Sequence, residues 1–85
     1  MTAKQDAIRA VYVQVGAPEW AAANLDALTD VLRDLPWLPE GPLTLPVPDL
    51  RELDDDTRAH FLDVLWRISL DTAAGPRPVR WTMGG

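Results

Sequence analysis

An α/β fold, with a small parallel sheet of two or three strands packed against about three helices, follows from three observations. Two segments, Asn24 to Leu35 and Asp54 to about Thr72, repeat their apolar residues at helical spacing. Two short segments, Leu43-Thr44-Leu45 and Pro78 to Met83, have strand character. The longer helix lies between those two strands. A β-α-β unit of this kind pairs its strands in parallel, with a right-handed crossover. Residues 1–85 are short enough to read as one domain.

The first segment, Lys4 to Val15, carries Ile8, Val11, Tyr12 and Val15 at i, i+3, i+4 and i+7. Val11, Val13 and Val15 also alternate as a strand would. The helical reading is preferred because Ala3, Ala7, Ile8 and Ala10 extend it backwards; the strand reading stays open. Gly16-Ala17-Pro18 ends the element either way. In the second segment Asn24 is placed to cap the helix, and Asp26 sits where negative charge suits the helix dipole. Pro36 stops it. Four prolines between Trp37 and Pro48 make a rigid connector around the strand Leu43–Leu45, which reaches at most to Val47. Pro46 lacks a donor, so that strand lies at an edge or ends early. Asp54-Asp55-Asp56 opens the long helix with charges of the right sign. Phe61, Val64, Leu65 and Ile68 form its core stripe, and Leu62 and Trp66 are expected to widen it. Ala73-Ala74-Gly75-Pro76 ends it. In the last strand Val79, Trp81 and Met83 share one face and Arg80 and Thr82 the other.

Composition removes several functions. The chain has no cysteine, so disulfides, thiolate nucleophiles and Cys-ligated zinc are excluded together. His60 is the only histidine and reads as a polar-face residue. No Gly-rich phosphate loop occurs. Eight Lys and Arg against thirteen Asp and Glu leave a net charge of −5, which nucleic acid repels and basic proteins attract. No apolar run approaches the ~18–20 residues that span a bilayer. The N-terminal stretch Met1 to Arg9 has no signal-peptide core. The expected location is therefore the cytoplasm, with neither membrane nor nucleic acid as a partner. No cofactor and no metal are expected.

The helix Asn24–Leu35 separates its residues sharply. At about 100° per residue, Leu28, Val31, Leu32 and Leu35 share one side. Asp26, Thr29, Asp30, Arg33 and Asp34 share the other. Asp26, Asp30 and Asp34 are successive i, i+4 neighbours, which costs a few tenths of a kcal/mol per like-charged pair. Arg33 is placed to relieve Asp30. An acidic stripe is ordinarily a solvated face, and a flanking tryptophan is ordinarily a cap on the core. Here Trp20 and Trp37 bracket the stripe, and aromatic anchors around charged contacts are the pattern of an interface hot spot. General acid–base work by Asp26 and Asp30 would need desolvation that an exposed helix face does not provide. The carboxylate spacing also matches no cation loop.

The stretch Pro18-Glu19-Trp20-Ala21-Ala22-Ala23-Asn24-Leu25-Asp26-Ala27-Leu28-Thr29-Asp30-Val31-Leu32 resembles the signature of the barstar family, small intracellular inhibitors of barnase-type ribonucleases. Asn24 to Leu28 and Asp30 match the family pattern residue for residue. Ala21 and Ala22 stand where the family has a second aromatic and a glycine. Asp34-Leu35-Pro36-Trp37-Leu38-Pro39 resembles a further run of one branch. The resemblance implies a barstar-like domain without the family's N-terminal strand. It implies a non-enzymatic inhibitor, acting as an immunity protein against a basic secreted-type ribonuclease or nuclease toxin, bound 1:1. Asp30 would take the phosphate position in the enzyme's basic groove, and Asp26 would meet a second basic group. Trp20 would supply the interface aromatic, and Asn24, Leu25 and Thr29 would lie at contact positions. The partner-binding surface runs from Trp20 to Asp34, with Trp37 beside it. The family's acidic contact on its last helix has no evident counterpart among Asp63, Trp66 and Arg67. Two rivals remain. One is an interaction module for another basic protein, or for self-association through Trp66 and Trp81. The other is a carboxylate-dependent hydrolase.

Overall fold

The computed structural model describes residues 2–83. The order of elements is helix α1 (Ala3–Val15), helix α2 (Leu25–Arg33), strand β1 (Leu43–Pro46), helix α3 (Asp55–Thr72) and strand β2 (Val79–Thr82). The two strands pair in parallel, Leu43 with Val79 through Pro46 with Thr82. The α/β order expected from the sequence is thus present, with a sheet of two strands. One sheet face packs Leu45 and Val79 into the core beneath the helices. Thr44, Pro46, Arg80 and Thr82 face solvent.

The first segment is a helix. Thr2 and Gln5 cap it reciprocally, each side chain bonding the other's backbone N–H at 3.1 and 3.0 Å. Val13 decides against the strand reading: it is 79% exposed while Val11 and Val15 are buried, which alternation would forbid. Gly16 closes the helix at φ +67°, a conformation that favours glycine. The Ala17 N–H then returns to the Tyr12 carbonyl at 2.9 Å. Helix α2 ends at Arg33, with Asp34 capping it, although Leu35 remains buried. Pro36 lies just beyond, as its restriction on the preceding backbone requires.

Helix α3 corrects one expectation. Phe61, Leu65, Ile68 and Thr72 are buried and Val64 half-buried, but Leu62 and Trp66 lie outside the core, Trp66 at 63% exposure. The sheet is only two strands wide, at about 4.8 Å between strands, whereas a helix with its side chains is about 10 Å across. One flank of α3 therefore overhangs. Arg58 anchors the loop before α3, donating to the Leu50 and Leu53 carbonyls at 3.2 and 2.7 Å and pairing with Asp55 at 3.0 Å. Met83 follows β2 and is 76% exposed, so only Val79 and Trp81 of their expected face are covered.

Among the described residues no helix is long and apolar enough to cross a membrane, and no buried side-chain nitrogen or oxygen lacks a partner. Thr72 shows how this is achieved at the crossover. Its hydroxyl donates to the Ile68 carbonyl at 2.8 Å and accepts from the Val79 N–H at 2.9 Å. Thr72→Val keeps the shape but orphans that N–H, and such an orphan costs about 1–3 kcal/mol. Urea unfolding should register a loss of that size for Thr72→Val and a smaller one for Thr72→Ser.

Candidate functional site

The acidic face is built on α2 by its cap and its buried side. The Asn24 side-chain oxygen accepts from the Ala27 N–H at 2.7 Å, fixing the first turn. Leu25, Leu28 and Leu32 are buried and Val31 half-buried, which locks the helix's rotation. Asp26, Asp30, Arg33 and Asp34 are consequently exposed. The ion pairs among the described residues are Asp49–Arg51, Asp55–Arg58 and Asp63–Arg67. None involves α2 or its cap, so the expected relief of Asp30 by Arg33 takes no form of direct pairing. Thr29 is half-buried and bonds the Leu25 carbonyl at 3.0 Å.

Leu25 departs from the contact position implied for it. It is buried because it begins the inward stripe, so its side chain anchors the helix from below. The two tryptophans also divide. Trp20 is 85% exposed. Trp37 is 41% exposed, and its indole N–H donates to the Val15 carbonyl at 2.8 Å, tying the turn after α2 to the end of α1. Asn24 is exposed, so its amide nitrogen is presented while its oxygen serves the cap.

The sequence reading missed the two residues that hold the loop before α2. Arg9 donates to the Ala21 carbonyl at 3.2 Å and Tyr12 to the Ala22 carbonyl at 2.7 Å. The Ala21 N–H bonds the Pro18 carbonyl at 3.0 Å, and its side chain is buried. No residue other than glycine has a positive φ among those described, so Ala22 takes its place without strain. A core tyrosine must find a partner for its hydroxyl, and that was the available signal. Burial pushes the Tyr12 hydroxyl above its usual value; the charge of Arg9 opposes this and that of Asp30 adds to it. Tyr12 therefore lies within the electrostatic reach of the acidic face.

Among the described residues no group of three or more His, Asp or Glu side chains is arranged to hold a metal ion. What the arrangement offers is a fixed row of unpaired carboxylates on α2, preceded by a loop that is bonded to α1 and exposes the Trp20 indole. A family model described as barstar, barnase inhibitor, matches residues 1–83. The chain belongs to the barstar family. Barstar family members are inhibitors, not enzymes, and their partners are barnase-type ribonucleases. Comparison with curated proteins and with solved structures returns no match.

A raised tyrosine pKa stabilises the fold below the unfolded value of 10.0 and is lost as pH climbs through the folded value. Tyr12→Phe should cost about 1 kcal/mol at neutral pH through the lost hydrogen bond. The stability of the parent should fall above about pH 10, and that of Tyr12→Phe should fall less. Denaturant titrations at several pH values measure both.

Proposed function

We propose that this chain inhibits a barnase-type ribonuclease or nuclease toxin, binding it 1:1 and closing its basic active site with the surface from Trp20 to Asp34. The observation that carries this is the row Asp26, Asp30 and Asp34, exposed and unpaired on a helix that is otherwise anchored. A ribonuclease groove is shaped to hold RNA phosphates with cationic donors. A carboxylate can accept the same charge-assisted, often bidentate, hydrogen bonds. Asp30 takes the phosphate position and Asp26 a second cation. Asp34 extends the negative field. Trp20 packs against the rim, and Asn24 and Thr29 add polar contacts from the cap and the first turns. Leu25 and Trp37 work chiefly by holding the helix and its following turn in place.

The chain itself performs no catalysis on this reading. Asp26 and Asp30, the carboxylates a hydrolase would need on α2, lie open to solvent. Residues 1–85 act as one domain, in the cytoplasm of the cell that needs protection, without cofactor or metal.

Titrating the protein against a barnase-type ribonuclease and following residual RNA cleavage should give stoichiometric inhibition by the parent. Asp30→Ala should weaken binding by at least about 2 kcal/mol, roughly 30-fold in Kd, as loss of a desolvated hot-spot contact does. Asp26→Ala should come next, and Trp20→Ala should also weaken binding. Parent-like inhibition by both aspartate variants would refute the site. Failure of the parent to inhibit any of a panel of such ribonucleases would favour an interaction module with a different basic partner.

A further inference from the structure

The carboxylate row of α2 has a cation set into it. Arg33 lies on the exposed side of the helix, three residues after Asp30 and directly before Asp34. None of the ion pairs among the described residues includes it. Beside it, the end of α3 and the segment that follows form a notch of about 180 Å³, lined by Arg33, Asp71, Thr72, Gly75, Pro76 and Arg77.

Arg77 is half-buried there. Its Nε donates to the Leu38 carbonyl at 2.8 Å, which fixes the guanidinium in place. Its two terminal nitrogens bond nothing among the described residues, and no carboxylate pairs with it. A partly desolvated cation held by one neutral carbonyl gains from a counter-ion. The Thr72 hydroxyl is already engaged with Ile68 and Val79, so the side-chain donors left in the notch are those of the two arginines. Asp71 is the one carboxylate in the lining, and it is exposed and paired with neither arginine. Two arginines against one aspartate leave the notch with an excess positive charge, on a chain that carries −5 overall.

We propose that this notch receives a carboxylate side chain of the bound ribonuclease, held by Arg33 and the terminal nitrogens of Arg77, and that it thereby discriminates among ribonucleases. This rests on the inhibition proposed above and adds which enzymes are accepted. An enzyme seated on Asp30 and Asp34 necessarily takes Arg33 out of water as well. A desolvated cation without a partner is strongly unfavourable, and a lysine or arginine of the enzyme at that point adds repulsion. One carboxylate neutralises the excess charge of the notch, and guanidinium groups hold carboxylates through paired hydrogen bonds. The aspartates of α2 attract cationic grooves in general. Arg33 distinguishes one such groove from another, because a mismatched enzyme leaves it unpaired or opposed.

Titration calorimetry of the full chain with a barnase-type ribonuclease that the parent inhibits tests this. Arg33→Glu makes the chain more acidic, so attraction to a basic enzyme alone predicts tighter binding. The notch predicts the reverse: Arg33→Glu should weaken binding by about tenfold or more, and Arg33→Gln by a smaller factor. Changing each acidic surface residue of that enzyme to lysine in turn should find one variant that the parent binds poorly and that Arg33→Glu binds about as tightly as the parent binds the unaltered enzyme. Arg33 is exposed, so its exchange leaves the core untouched, and far-UV circular dichroism verifies that each variant is folded. Asp30→Ala in the same titrations reports separately on the proposed inhibition. Weakening by Asp30→Ala together with unchanged or tighter binding by Arg33→Glu overturns the notch and leaves the inhibition standing. A lysine scan in which Arg33→Glu rescues no variant also overturns it. A parent that binds no ribonuclease of a panel overturns both.

Discussion

The anchoring of α2 by Leu25, Leu28 and Leu32 is the constraint from which the exposed acidic surface follows. A nine-residue helix is too short to persist alone in water. It exists here because three leucines are buried and Asn24 satisfies a free N–H of its first turn. That burial also fixes its rotation. Once the leucines point inward, Asp26 and Asp30 have nowhere to go but outward. The mutual repulsion of the aspartates is a small cost beside the burial of three leucine side chains, each worth about 1.5–3 kcal/mol. The fold can therefore hold negative charges together that would not gather by themselves.

The loop before α2 is held by a different means. Beyond Gly16 it contains no left-handed residue, and Ala21 is its one fully buried side chain, yet it is tied to α1 by Arg9 and Tyr12 through carbonyls of Ala21 and Ala22. Trp37 performs the equivalent task on the other side of α2, through the Val15 carbonyl. Both ends of the acidic helix are thus referenced to α1. A surface prepared in this way loses little conformational freedom when a partner docks, and preorganisation of that kind favours affinity without adding contacts.

Much of this was legible in the sequence, for identifiable reasons. Helical periodicity and the prolines at 36, 39, 42 and 46 located α2, α3 and β1, because backbone restriction is local and strong. The acidic face of α2 was legible because rotation about a short helix is set by its apolar residues. Periodicity could not reveal that Trp37 would reach back 22 residues to Val15, or that Arg9 and Tyr12 would support the loop. Those bonds join side chains to carbonyls that are distant in sequence and carry no pattern. Leu62 and Trp66 misled for a related reason: six apolar positions on α3 suggest a broad buried stripe, but the width of the sheet decides how many are covered. Leu25 sat at the margin between the two faces, and only packing could place it inside.

The proposed inhibition depends on carboxylates that pair with no cation among the described residues and would be offered to a cationic catalytic groove. The most direct measurement is the association rate constant with a barnase-type ribonuclease as a function of ionic strength, for the parent and for the triple variant Asp26→Asn, Asp30→Asn, Asp34→Asn. Attraction between opposite fields predicts that the parent rate falls by about tenfold or more between low and high salt, and that the triple variant associates slowly with a much flatter salt response. A parent rate indifferent to salt, or a triple variant that keeps the parent's rate and slope, would contradict it.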